Sequence, residues 1–304
     1  RDVAVTGVQT CALPILLGPA DSVRGVTRTD TDPSDLVDIW EEAGRTIVQI
    51  CRSVNDDQWR APTACPGWTV ADLAAHVTDI EQLLAGDARP EHSPDWDSLP
   101  HVASDFGRFT EVGVDARRGR TRDDVLDELE DTLHRRREQL DSHPLDTDVI
   151  GPMGNPTTLD RLLRMRVFDI WAHERDIRGA LGDDPAWDTA PARIAFEQIV
   201  RAFPVAWAKG AQAPDGAVAE LVVSDPAIHG TFAAVVEAGR GIPADPAAES
   251  TVTPVVRLEI PWPDLVRRAC GRVPADDPGL QARIRLDGDA DLGRDLLRGL
   301  TITP

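Results

Sequence analysis

At 304 residues the chain is long enough for two domains, and a hydrophobic content of 41% is enough to bury real cores. A net charge of −20 and a pI near 4.6 argue against nucleic acid or an anionic membrane as partner, since both require basic patches. The four cysteines (Cys11, Cys51, Cys65, Cys270) form no C-x-x-C pair and no disulfide framework, and no apolar run approaches the roughly 18 residues of a membrane span, so a cytoplasmic protein is expected.

The first 31 residues show no helical or strand period. Arg1–Gly18 has no initiator methionine, and the apolar run Cys11–Leu17 is broken by Pro14, too short for a secretory signal. Val5–Ile15 resembles a translated sequencing-adapter segment, so residues 1–31 are expected to lie outside the fold. From Pro33 to Val54, Leu36, Ile39, Ala43, Ile47, Ile50 and Val54 recur at helical spacing and predict an amphipathic helix. Pro66-Gly67 then stops the chain, and Thr69 with Asp72 makes a capping box that opens a second helix ending near Gly86. On it Leu73, His76, Ile80 and Leu83 share a face, which points His76 at the core. A lone core histidine is more often hydrogen-bonded to a neighbour than a ligand.

Residues 87–120 are rich in Pro, Asp, Ser and Gly and predict an excursion with a short helix in His101–Arg117; such excursions often form lids or pocket walls. A third helix spans Arg122–Leu140 with the stripe Leu126, Leu129, Leu133, Leu140. After a turn at Gly151–Pro156, Leu159–Leu181 contains no Pro and reads as the fourth helix. Four long amphipathic helices predict a four-helix bundle over residues 32–185, and bundle cores are a usual place for metal sites.

One stripe of the fourth helix is unusual: Leu162, Arg166, Asp169, His173, Asp176, Ala180. A solvated face usually mixes Glu, Lys and Gln, whereas this one sets a carboxylate and an imidazole one turn apart among Trp, Phe and Ile. Asp169 and His173 at i, i+4 can hold one metal ion, with His76 as the third ligand from another helix. Asp176, one turn past His173, can orient its imidazole. A helix-surface aspartate pairing with Arg178 or solvent is the plainer alternative.

Beyond Gly182-Asp183-Asp184-Pro185 the texture changes. A helix over Pro191–Ala208 is followed by β-like runs at 219–223, 231–236 and 255–260. A helix Trp262–Cys270, a strand Ala282–Leu286, a helix Ala290–Leu297 and a last strand near Leu300–Ile302 follow, predicting a small α+β domain over residues 186–304.

Pro66-Gly67-Trp68-Thr69-Val70-x-Asp72-Leu73-x-x-His76, with Asp169-x-Trp171-x-His173-x-x-Asp176, resembles the mycothiol-dependent maleylpyruvate isomerase family, whose bundle is DinB-like. Leu286–Gly293 and Pro261-Trp262…Cys270-Gly271-Arg272 resemble that family's sterol-carrier-like second domain. The resemblance spans residues 32 to 304. It implies a divalent metal, usually zinc, on His76, Asp169 and His173, where the founding enzymes carry glutamate at the position of Asp169. It also implies an arginine of the second domain for the substrate's carboxylates, with Arg272 the first candidate and Arg283 and Arg285 behind it. The expected protein, a monomer or dimer, uses zinc and mycothiol to attack a small electrophile, as an isomerase or S-transferase. A metal-dependent hydrolase, with water at the open metal position, and a non-catalytic ligand-binding protein are the alternatives.

Overall fold

Four long helices form where the apolar spacing puts them. The structure, a computed structural model, describes residues 33–184, 186–245 and 253–303, so the segment 1–31 singled out above lies outside the described residues. α1 (Pro33–Ser53) is followed by a single turn, α2 (Asp56–Trp59), opened by a capping box in which the Asn55 side chain accepts from Gln58 N and the Gln58 side chain accepts from Asn55 N. α3 (Val70–Leu84) opens on the expected capping box: the Thr69 side chain accepts from Asp72 N, and the Asp72 carboxylate accepts from Thr69 N at 2.9 Å. α4 (Asp105–Asp115) is the short helix of the excursion, and α5 (Arg122–Asp141) buries Leu126, Leu129, Leu133 and Leu140 as one stripe.

The buried face of α1 is rotated from the expected one. Trp40, Val48 and Cys51 are buried and Ile39 and Ile50 only half-buried, because the indole of Trp40 hides more apolar area than an aliphatic side chain can. Gly44 lets α5 approach closely, since a Cβ there would sit 2.7 Å from a Leu133 methyl carbon.

The turn at Gly151–Pro156 is the loop of a hairpin, β1 (Asp148–Ile150) with β2 (Pro156–Thr158), that feeds straight into α6 (Leu159–Leu181). α6 ends where Gly182 takes a left-handed φ of 71°, a conformation that favours glycine. It packs on α1 and α3 on one side and on α7 (Ala190–Val205) on the other. Pro204 lies in the last turn of α7, and the backbone then widens into a π turn over Ala206–Gly210.

β3 (Val218–Val223), β4 (Gly230–Glu237), β5 (Arg240–Ala244), β6 (Val256–Ile260) and β7 (Arg285–Gly288) form one sheet in the order β5-β4-β3-β6-β7. Only the β3–β6 pair is parallel. α8 (Trp262–Ala269), α9 (Pro278–Gln281) and α10 (Ala290–Gly299) complete the α+β half.

Three expectations are corrected. The strand at Ala282–Leu286 begins only at Arg285, because Asp277 caps α9 by accepting from Leu280 N at 2.8 Å and holds the chain helical first. Leu300–Ile302 is not a strand: its Ile302 N–H is taken by Ala269 O, at the end of α8, at 2.8 Å. β5 is an additional edge strand, where Pro243 costs no ladder bond. No described helix is long and apolar enough to cross a membrane.

Two hydrophobic cores meet at α6. Leu163, Val167, Ile170 and Ile177 face the helices, and Phe168, Trp171 and Ala172 face α7 and the sheet half. The joint is aromatic: Trp171 stacks on Trp262 of α8 with centroids 5.9 Å apart and planes 11° from parallel. The remaining face of α6 is the polar stripe.

Candidate metal centre

His76 comes from the second turn of α3 and Asp169 and His173 from the middle of α6, helices that pack side by side. The three residues each offer a ligand atom, all within 4.8 Å of one another. His76 Nε2 is 3.3 Å from Asp169 Oδ2, and His173 Nε2 is 3.7 Å from Asp169 Oδ1. A tetrahedral ion with bonds of about 2.0–2.1 Å separates its ligand atoms by roughly 3.3 Å, so this donor set fits zinc or a similar divalent ion. The aspartate, one methylene shorter than glutamate, still faces both imidazoles.

Both histidines are buried, while the Asp169 side chain is 26% exposed, so the centre opens on the aspartate's flank. Trp68 walls the other side, its ring centroid 5.0 Å from His76 and 6.1 Å from His173. Burial pushes the His76 imidazole below its ordinary value, with Asp169 pulling the other way, which favours the neutral form that can ligate. Burial alone would raise the Asp169 carboxyl, but Arg166, His173 and His76 hold it well below the usual carboxylate range. His76 Nδ1 has no hydrogen-bond partner among the described residues.

Outer partners brace the α6 ligands. Arg166 donates from Nη1 to Asp169 Oδ2 at 2.7 Å and from Nε to the fully buried Glu81 at 2.8 Å. Asp176 Oδ2 lies 3.4 Å from His173 Nδ1. Asp176 is buried and does not pair with Arg178, which binds Glu174 and Asp183 instead. Its partner is Arg272, with Nε 3.0 Å from both carboxylate oxygens and Nη2 2.8 Å from Oδ2. Arg283, half-exposed, pairs with the buried Asp264, and Arg285 pairs with Asp287 at the surface. Sequence reasoning thus brought together His76, Asp169, His173, Asp176 and Arg272, and missed the parts of Arg166, Glu81 and Trp68. Arg166 sits on the same stripe three residues before Asp169, which was the available signal.

Cys65 lies close enough to feel the charges of Arg272, Asp176 and Asp169, yet burial pushes its thiol up to about 12. Cys270 is buried and likewise pushed up to about 12. Raised this far, neither Cys65 nor Cys270 offers this centre an activated sulfur nucleophile.

Residues 40–178 match the family described as the mycothiol maleylpyruvate isomerase N-terminal domain. Two solved structures share the fold. A mycothiol-dependent maleylpyruvate isomerase aligns with a TM-score of 0.52 at 16% identity, covering 84% of this chain and 94% of that one. A histidine-to-alanine mutant of a mycothiol-dependent maleylpyruvate isomerase aligns with a TM-score of 0.53 at 14% identity over the same shares. No curated protein matches the chain.

Proposed function

We propose that this chain, whose residues 40–178 belong to the mycothiol maleylpyruvate isomerase N-terminal domain family, is a metal-dependent enzyme that uses mycothiol to attack a small electrophile. In this reading residues 32–185 are a DinB-like metal-binding bundle and residues 186–304 a sterol-carrier-like domain. The observation that carries it is the convergence of His76, Asp169 and His173 on one buried point with a single open flank.

His76 Nε2, an Asp169 oxygen and His173 Nε2 would hold zinc or another divalent ion, leaving one position free. The ion supplies the acidity that turns a bound thiol into a thiolate at neutral pH. The residues do the rest. Trp68 closes the rear of the site and keeps water from it. Arg166 holds the Asp169 carboxylate ionised, and Asp176 keeps the proton of His173 on Nδ1, so that Nε2 faces the centre. The nucleophile comes from outside, since Cys65 and Cys270 stay protonated.

With a cis-unsaturated diacid, the thiolate adds to one alkene carbon and the π electrons move onto the conjugated carbonyl. The bond rotates, and expulsion of the same thiolate returns the trans alkene, with no net consumption of thiol. With a leaving group or an epoxide, the carbon–sulfur bond would remain, giving a transferase.

The test is cobalt-loaded protein titrated with mycothiol. A sulfur-to-cobalt charge-transfer band, with turnover of electrophiles only when thiol is present, is the expected result. Thiol-independent hydrolysis without the band would make the centre a hydrolase. Metal binding with neither band nor turnover would make the chain a binding protein.

A further inference from the structure

The family resemblance gives the second-domain arginine to the substrate, but Arg272 has no nitrogen to spare. Nε and Nη2 make three contacts of 2.8–3.0 Å with Asp176, and Nη1 donates to Cys270 O at 2.6 Å. Both side chains of the pair are 6% exposed, so the fork is removed from water and its geometry is tightly held. Each nitrogen of this guanidinium is thus already engaged, and the fork that would grip a substrate carboxylate is taken by the buried aspartate.

The segment that delivers Arg272 is rigid. α8 ends at a turn in which Gly271 adopts a left-handed φ of 70°, and Arg272 N bonds back to Arg267 O at 2.8 Å. Arg268, buried beside it, donates to Leu297 O at 2.8 Å, Val273 O at 3.0 Å and Arg298 O at 2.8 Å, locking the turn to α10. Arg272 therefore projects from the sheet half onto α6 from a fixed base. There it fixes the plane of the Asp176 carboxylate, whose Oδ2 faces His173 Nδ1.

We infer that Arg272 is a positioning residue: through Asp176 it sets the ring orientation and tautomer of His173, so that the sheet half controls how His173 Nε2 is presented to the centre. This rests on the proposed metal centre for its consequence, but the clamp itself is independent of any ion. A neutral imidazole carries one proton, and a carboxylate fixed at Nδ1 keeps it there and leaves the Nε2 lone pair free. Without Arg272 the buried Asp176 would lose its counter-charge and its fixed plane, and the proton would be free to occupy either nitrogen.

Ring nitrogen-15 NMR of His173 in metal-free protein at pH 8 reads the clamp directly. The wild type is expected to hold the Nδ1–H tautomer, and Arg272→Gln and Asp176→Asn to show a mixture. Chelator competition for zinc reads the consequence: each variant should bind about 10–100-fold more weakly. The double variant should lose no more than Asp176→Asn alone, because the arginine acts through the aspartate. Arg283→Gln, which breaks the pair of a half-exposed arginine with Asp264, should leave both readouts unchanged. If Arg272→Gln fails to fold, Arg272→Lys keeps the charge without the fork and should still mix the tautomers. A wild-type tautomer in a folded Arg272 variant would overturn the inference, as would additive losses in the double variant. If wild type binds no divalent ion yet Arg272→Gln mixes the tautomers, the clamp stands and the metal reading fails.

Discussion

α3 carries two buried polar clusters that answer opposite needs. On one side Asp79 is matched by cations, with Arg89 Nη2 at 2.7 Å and Arg117 Nη1 at 3.3 Å, and Arg117 also donates to Gly113 O at 2.7 Å. Glu111, fully buried nearby, takes Trp68 Nε1 at 2.8 Å, His101 Nε2 at 3.2 Å and Arg118 at 2.6 Å. Every carboxylate there meets a guanidinium or a ring N–H. One turn earlier His76 points Nε2 toward the Asp169 carboxylate, which His173 also faces and Arg166 donates to, while its Nδ1 has no partner among the described residues. The first cluster is charge-matched and ties the 87–120 excursion to α3 and α5. The second sets two imidazoles around a carboxylate that Arg166 already holds, a donor set that a divalent ion would draw together. Trp68 belongs to both, its N–H on Glu111 and its ring against His76, so the scaffold cluster also positions the wall of the centre.

The sharpest way to break this contrast is to damage each cluster separately. Asp79→Ala leaves Arg117 buried beside an empty space, and removing one partner of a buried pair costs about 3–5 kcal/mol. Urea unfolding should report that loss, while the folded fraction keeps about one divalent ion per chain. His173→Ala should do the reverse, losing most of the metal with a smaller change in the unfolding midpoint of metal-free protein. Equal metal loss in both variants would mean that the clusters are one unit.

Asp169 offers a finer probe. Its reach is one methylene shorter than that of the glutamate that the resemblance implies for the founding enzymes, which would draw a bound ion toward α6. A misplacement of about 1 Å can cost about a hundredfold in rate. Wild-type protein with mycothiol is expected to isomerise maleylpyruvate weakly, and Asp169→Glu to gain up to about that factor. Robust turnover by the wild type would show that the aspartate places the ion as well as a glutamate does.

What could be read in advance divides along the same line. The candidate ligands were legible because a chelating pair leaves a local mark: two residues four apart on α6, and one histidine on the apolar face of a capped helix. The scaffold cluster was not, because Asp79, Glu111, Arg117 and Arg118 look like ordinary solvated charges until α4 folds over α3. Arg272 was picked out as the arginine that the resemblance implies for the substrate's carboxylates, but its bond to Asp176 spans 96 positions and joins two halves, which no helical period encodes. β5 was hidden by Gly241 and Pro243. Pro243 is tolerated only because the strand lies at the sheet edge, and Gly241 is needed because a Cβ there would lie 1.7 Å from Pro204 O.

The smallest expected effect separates the clusters by pH. Burial lowers the His76 pKa below its unfolded value of 6.5, so the unfolded chain takes up that proton first as pH falls. Its contribution is complete above 6.5 and is lost progressively below it, with a slope no steeper than about 1.4 kcal/mol per pH unit for one proton. In the scaffold, burial would raise the Glu128 carboxyl, but Arg117, Gln82 and Arg120 together lower it below its ordinary 4.5. Its stabilising share is therefore complete above pH 4.5 and is lost only as pH falls further. Asp169 and Asp176, also lowered, join that acid step from the other side. Between pH 7 and 5, then, only the histidine side should lose stability. Urea unfolding of metal-free protein at pH 7.5, 6 and 5 should show a decline that His76→Gln flattens and Glu128→Gln preserves. An undiminished slope in His76→Gln would place the titrating proton on another histidine, and the neutral, ion-ready state of His76 would lose its physical basis.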